Sequence, residues 1–167
     1  MLRECGNNFP SMRTPRLMTD IVSKEKRSEM MRGIRGKDTR PELVVRRWLH
    51  KQGYRFRLHR TDLPGRPDIV LPSRRLAIFV HGCFWHRHPG CRLAYNPKSN
   101  VDRWQRKFAE NTARDAVKIN ALQDCGWHVV VVWECQTRDG SFVRVLEHAG
   151  LPSEPSGNQR VLLLGCQ

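Results

Sequence analysis

No stretch of this chain is apolar for the length needed to cross a bilayer, and no continuous hydrophobic segment follows its basic N-terminus. Those two absences argue against membrane insertion and secretion and predict a cytoplasmic protein. The sequence is also short of acid: 16 Asp and Glu stand against 30 Lys and Arg, a formal net charge of +14. An excess of that size points to a polyanionic partner, because Lys and Arg that release condensed counterions supply most non-specific nucleic-acid affinity. A membrane surface is the weaker rival, since no basic helix carries a broad apolar face. Internal repeats are lacking as well, and 167 residues suffice for one core of ordinary size.

Cysteine is not scarce. Cys5, Cys83, Cys91, Cys125, Cys135 and Cys166 could make three disulfides in a secreted scaffold, but without a signal peptide, and with a core available, metal binding is the better use. In the stretch Val80-His81-Gly82-Cys83-Phe84-Trp85-His86-Arg87-His88-Pro89-Gly90-Cys91, two cysteines flank two histidines in a loop with its own Pro-Gly turn. Three ligands of a tetrahedral zinc site can come from there, and spacing admits either His86 or His88. Cys135, just after an apolar strand ending at Trp133-Glu134, is the candidate fourth. Four ligands close the site, which makes it structural and denies a zinc hydrolase its open position. Cys125 behind a helix, and Cys5 and Cys166 near the termini, read as idle thiols.

Residues 1–17 have two prolines and no apolar periodicity and are expected to be a flexible leader, with Met18 a plausible alternative start. A basic helix is expected from Ser23, ended by Gly33 and Gly36. Thr39-Arg40-Pro41-Glu42 reads as an N-cap, a first-turn proline and a capping-box glutamate opening a second helix that stops at Gly53. Tyr54, Phe56 and Leu58 alternate with Arg55, Arg57 and His59 as in a half-buried strand. Asp68–Leu71 and Leu76–Val80 read as strands joined by a tight turn, the second fully buried. Ser99 or Asn100 caps a long helix through Trp104, Phe108, Val117, Ile119 and Leu122 to Gly126, and Trp127–Trp133 is expected as a buried strand. A last helix at 141–148 precedes a Pro-Ser tail. The fold class that follows is α/β, a mixed sheet flanked by helices, organised as leader 1–17, domain 18–150 and tail 151–167.

Asp68 follows Gly65-Arg66-Pro67 into a strand, where the commonest role of an aspartate is to stabilise its own bend. Yet a Pro-Asp entering a strand, a glutamate on a preceding helix and a second strand alongside resemble restriction-type nucleases, in which such a carboxylate holds Mg²⁺ beside the scissile phosphate. That layout usually adds an acid and a lysine on the second strand, a place taken here by Phe79, Val80 and His81.

Taken together, Pro64-Gly65-Arg66-Pro67-Asp68, His81-Gly82-Cys83-Phe84-Trp85-His86 and Trp133-Glu134-Cys135 resemble the very short patch repair endonucleases over roughly 23–137. The resemblance implies a restriction-endonuclease-like core with a structural zinc and a monomer that uses Mg²⁺ to nick double-stranded DNA on the 5′ side of the thymine in T/G mismatches. A link to mismatch-repair proteins is also implied. By position, the metal-binding carboxylate falls on Asp68, with the Val80 main-chain carbonyl also on Mg²⁺. The catalytic histidine falls on His86, the assisting histidine on His81 and the catalytic-site glutamate on Glu42, which could orient His86. Zinc ligands fall on Cys83, His88, Cys91 and Cys135, with one residue more between His88 and Cys91 than the family form. Phe84, Trp85 and Trp104 match aromatics inserted into the base stack, and Met31 and Ile34 match residues entering from the other groove. Without the resemblance, Trp104 and Phe108 at helical spacing read as core, Glu42 reads equally as a cap, and a zinc-stabilised DNA-binding module without catalysis is the chief alternative.

Overall fold

A computed structural model describes residues 36–153 without a break, and Ser23, Glu25, Lys26, Glu29 and Gly33 before them. Of the expected basic helix, Glu25, Lys26 and Glu29 are helical, with the Lys26 N–H on Ser23 Oγ (3.2 Å) and the Gly33 N–H on the Glu29 carbonyl (3.0 Å). Met31, Ile34, the leader and the tail beyond Ser153 lie outside the described residues.

Helix α1, Arg40–Lys51, begins as its sequence dictates. The Thr39 hydroxyl accepts from the Glu42 N–H (3.5 Å), and the Glu42 carboxylate accepts from the Thr39 N–H (3.3 Å), with Pro41 in the first turn. Its end is a glycine device: Gly53 takes φ +74° and the Tyr54 N–H reaches back to the Leu49 carbonyl (2.9 Å). Glu42, Val45, Arg46 and Leu49 form the buried stripe of this helix, which brings a charged pair inside along with the apolar residues.

The sheet has the order β1-β2-β3-β4. Strand β1 is only Arg57–Leu58; Tyr54 and Phe56, expected within it, precede the pairing and pack half-buried against the core. Strands β2, Ile69–Leu71, and β3, Leu76–His81, are antiparallel, joined by a 3-10 turn at Pro72–Arg74 with Arg75 at φ +48°. Strand β4, His128–Trp133, pairs parallel to β3 from Leu76 opposite His128 to His81 opposite Trp133. A parallel pair needs a long crossover, supplied by α2, Val101–Asp124. Asn100 stands at its N-cap position but its side chain makes no capping hydrogen bond. Helices α3, Glu134–Asp139, and α4, Phe142–His148, follow.

Alternation along β3 divides the core. Leu76 and Ile78 join Val45, Leu49, Ile69, Leu71, Val132, Phe142, Leu146 and Leu151 under α1 and α4, while Ala77 and Phe79 face Leu122 of α2 on the other side. β3, paired on both edges and covered on both faces, is buried at every position except Val80, which is half-buried rather than fully buried as expected, and β2 is buried at all three of its positions. β4 had been expected to be buried throughout; being the outer strand, it keeps only Val132 fully buried. On α2, Val117 is 69% exposed rather than core. Because β2 runs against β3, Asp68 at the start of β2 lies at the same end of the sheet as His81 and Trp133. The loop of residues 82–100 leaves from that end, where α/β sheets place their sites.

Candidate active site and metal centre

Asp68 is held by backbone. Its Oδ2 accepts the Val80 N–H (2.8 Å) across the β2/β3 edge, and its Oδ1 faces His59 Nδ1 at 3.9 Å, beyond hydrogen-bonding range. Burial pushes its pKa up to about 6, against the pull of the Val80 N–H and with a further push from the Glu42 charge. Among the described residues one carboxylate oxygen is therefore free of hydrogen bonds beside the Val80 backbone, and its anion is poorly solvated.

Behind it lies a network that the sequence did not announce. Glu42 Oε2 pairs with Arg46 Nη2 (2.7 Å), Arg46 Nη1 with Asp38 Oδ1 (2.5 Å), and Arg46 Nη2 meets His59 Nε2 at 2.9 Å. Arg46 can only donate, so His59 Nε2 must accept and its proton sits on Nδ1, toward Asp68. Glu42 is thus fully engaged by Arg46, Thr39 and the Asp38 N–H (3.0 Å). The carboxylate on His86 is instead Asp115 of α2, hydrogen-bonded to His86 Nδ1. The expectation that Glu42 orients His86 is corrected on this point.

His81 and His86 stack, ring centroids 3.9 Å apart and 12° from parallel. His81 is 7% exposed, and burial together with the neighbouring His86 pulls its pKa down to about 4, so it packs as a neutral ring. Asp115 was missed because no local motif surrounds it, although a signal existed. Trp104, Phe108, Asn111, Asp115, Ile119 and Leu122 recur at three- and four-residue steps, one face of α2. Two polar residues on an otherwise apolar stripe need buried partners, and both find them in the loop, Asn111 Nδ2 donating to the Trp85 carbonyl (3.0 Å) one turn before Asp115 meets His86.

The structure brings Cys83, His88, Cys91 and Cys135 together, with ligand atoms all within 4.8 Å of one another. Cys135 Sγ lies 3.3 Å and Cys83 Sγ 3.8 Å from His88 Nδ1. A tetrahedral zinc with sulfur at about 2.3 Å and nitrogen at about 2.0–2.1 Å would set sulfur–nitrogen edges near 3.6 Å, so these donors fit that ion. Of the two histidines left open by spacing, His88 is in the cluster and His86 is not. The Cys83 thiol is fully buried, and burial pushes its pKa up to about 12, the environment of a thiolate that needs a cation beside it. Cys125 is exposed and outside the cluster.

The same loop gathers aromatic rings. Phe84 is central, with Trp85 at 5.1 Å, Trp104 at 5.3 Å and Phe108 at 5.2 Å, all edge to face. Trp104 lies against both Phe108 and Trp85. Phe108 is buried at 6% exposure and forms the floor, whereas Phe84, Trp85 and Trp104 remain half-open.

No helix among the described residues is long and apolar enough to cross a membrane. The family model described as DNA mismatch endonuclease Vsr matches residues 19–92. A type II nicking enzyme, V.XorIIP of Xanthomonas oryzae pv. oryzae, is 58% identical over 122 residues, 73% of this chain and 89% of its own. Type II nicking enzyme V.NmeAIP of Neisseria meningitidis is 42% identical over 127 residues, covering 76% and 90%. DNA mismatch endonuclease Vsr of Escherichia coli is 43% identical over 121 residues, covering 72% and 77%. With these relatives matched over most of their length, and with the half-buried Asp68 and the hydrogen-bonded His86–Asp115 pair as the candidate groups of the site, the chain belongs to the Vsr family and is a DNA-nicking endonuclease.

Proposed function

We propose that this endonuclease, within residues 18–150, nicks double-stranded DNA on the 5′ side of the thymine in a T/G mismatch and requires Mg²⁺. The observation that carries the reading is that one loop, 82–91, bears His86, two aromatics of the ring cluster and three donors of the Cys₃His cluster. Catalytic group and DNA wedge are thereby fixed to one rigid body.

Asp68 Oδ1, free of hydrogen bonds among the described residues, and the Val80 main-chain carbonyl are the groups that would hold Mg²⁺. They fit a hard cation that takes a few protein oxygens and keeps its waters, and the poorly solvated Asp68 anion gains from it. Bound there, the ion would neutralise charge developing on the scissile phosphate. The remaining chemistry belongs to the chain. Asp115 accepts from His86 Nδ1–H, which leaves Nε2 with its lone pair to take the proton of the attacking water. As the imidazole gains that proton, the Asp115 carboxylate stabilises the cation. His81, neutral and stacked, holds the ring plane without competing for the proton. Glu42 acts one step back, through Arg46 and His59 toward Asp68.

Phe84, Trp85 and Trp104 supply the wedge, with Met31 and Ile34 assigned to the opposite groove. Inserting rings costs unstacking energy that is lower at a mismatch, and weak pairing thereby becomes selectivity. The test is incubation with T/G and T/A duplexes of one sequence, with and without Mg²⁺. Mg²⁺-dependent nicking of the T/G duplex alone, 5′ of the thymine, is expected; equal cleavage of both duplexes would defeat the mismatch reading.

A further inference from the structure

We propose that Tyr95 is a further aromatic contact of the mismatch reader, stacking on a nucleobase next to the wedge and adding to the preference for T/G. The inference rests on the mismatch reading above. Its starting point is an anomaly of burial: Tyr95 is 63% exposed, the single exposed aromatic among the described residues. The ring nevertheless belongs to the aromatic cluster, 4.9 Å from Phe84 and tilted 35° to it.

Nor is it a loose loop residue. Arg87 donates through Nη1 to the Tyr95 carbonyl (3.0 Å) and through Nη2 to Asn96 Oδ1 (2.7 Å), while its guanidinium lies 4.4 Å over the Phe108 ring. On the other side, the Ala94 N–H bonds the Cys91 carbonyl (2.9 Å), tying the segment to the Cys₃His cluster. With the main chain anchored on both sides and the ring resting on Phe84 yet left mostly in water, Tyr95 contributes little burial to the fold. It is, however, well placed to stack on a flat partner, because the ordering cost has already been met in the free protein.

Charge identifies the partner as DNA. Arg92, Lys98 and Arg103, which bracket Tyr95 in sequence, are exposed and make no ion pair among the described residues. A pinned aromatic among free cations is the composition that grips a strand by stacking and phosphate contact together. Stacking needs a base face, which a mismatch offers more cheaply than a paired duplex. Tyr95 therefore acts on discrimination more than on general affinity.

The test compares wild-type protein, Tyr95→Ala and Tyr95→Phe for affinity to T/G and T/A duplexes at one salt concentration, with melting of each free protein. Tyr95→Ala should weaken T/G binding at least about fivefold, the low end for losing one stacked base. T/A binding should hold, the melting temperature should stay put because the ring is mostly exposed, and Tyr95→Phe should bind like wild type. Equal losses on both duplexes, no loss, or a loss for Tyr95→Phe as large as for Tyr95→Ala would overturn the stacking role. Wild-type protein without a T/G preference would remove the mismatch reading and this inference with it. A wild-type preference that Tyr95→Ala leaves intact would remove the Tyr95 contact alone.

Discussion

Asp68→Asn should make this protein more stable and inactive at once. The carboxylate is 20% exposed, and among the described residues the Val80 N–H is its one backbone donor. Burial outweighs that bond and lifts the pKa from 3.8 to about 6. The folded state then holds the proton more tightly than the unfolded one, so the ionised group opposes folding above pH 6 and the penalty fades as pH falls. Linkage puts it at about 3 kcal/mol at pH 7.5, about half of that at pH 5 and under about 1 kcal/mol at pH 4. Asparagine keeps an oxygen for the Val80 N–H and carries no charge, so its advantage should follow the same course. A gain of about 1–3 kcal/mol at pH 7.5 is worth roughly 3–12 °C in melting temperature for a domain of this size. Wild type and variant would be melted side by side at the three pH values, without Mg²⁺ and without chelator, so that effects on the cysteine cluster cancel. Nicking of a T/G duplex at saturating Mg²⁺ would be measured in parallel. A stability gain that is absent at pH 7.5, or that does not shrink toward pH 4, would refute the burial argument. Nicking at the parent rate would refute the role of Asp68 at the metal.

Asp115→Asn removes a charge-assisted hydrogen bond worth about 1.5–3 kcal/mol, so single-turnover nicking should slow about 10- to 150-fold while T/G affinity holds; an unchanged rate would take Asp115 out of the proton path. Cys135→Ser and Cys83→Ser should lose zinc and melt lower, whereas Cys125→Ser, exposed and outside the cluster, should keep its zinc; metal analysis of purified protein reads this directly, and a zinc-replete Cys135→Ser would break the ligand assignment. Mg²⁺ binding needs Asp68 ionised, and with its pKa near 6 the ionised fraction falls from about 90% at pH 7 to about 9% at pH 5. The Mg²⁺ concentration for half-maximal nicking should therefore rise about tenfold, and an unchanged requirement would count against Asp68 as a ligand.

The fold was legible wherever a local rule leaves little choice. Thr39, Pro41, Glu42 and Gly53 mark both ends of α1 because capping chemistry is short-range, and the turn between β2 and β3 follows from Pro72 and the residues after it. The mixed sheet followed from the same logic, since strands joined by a tight turn must be antiparallel and a long helical crossover permits a parallel neighbour. What failed depended on position in the finished sheet. Val129, Val130 and Val131 have the composition of a buried strand, but an apolar run does not reveal whether it lies inside or at the edge, and β4 lies at the edge. Tyr54 and Phe56 alternate with arginines like a strand, yet pairing requires β2 alongside, which happens only at Arg57 and Leu58.

The candidate site divides along the same line, and the division bears on how it works. Residues within one loop could be grouped from sequence, and tertiary contacts then selected His88 for the cysteine cluster and gave His86 to Asp115. Such partners come from other elements and carry no motif. Trp133 is the clearest case, since it was expected to be core. Its ring stacks on His88 at 4.4 Å and 14°, and meets His81 edge to face at 5.5 Å; His81 in turn stacks on His86. The four rings make one continuous set of contacts from the cysteine cluster to His86. Close-packed rings transmit displacement because no gap absorbs it. In the reading proposed above, a metal held by Cys83, His88, Cys91 and Cys135 would therefore do more than close a loop: its position would be felt by His81 through Trp133, and by His86 through His81. On that reading the cysteine cluster and the proposed catalytic histidine would be mechanically coupled, and the stretch from His81 to Cys91 carries three of the four cluster donors together with His86.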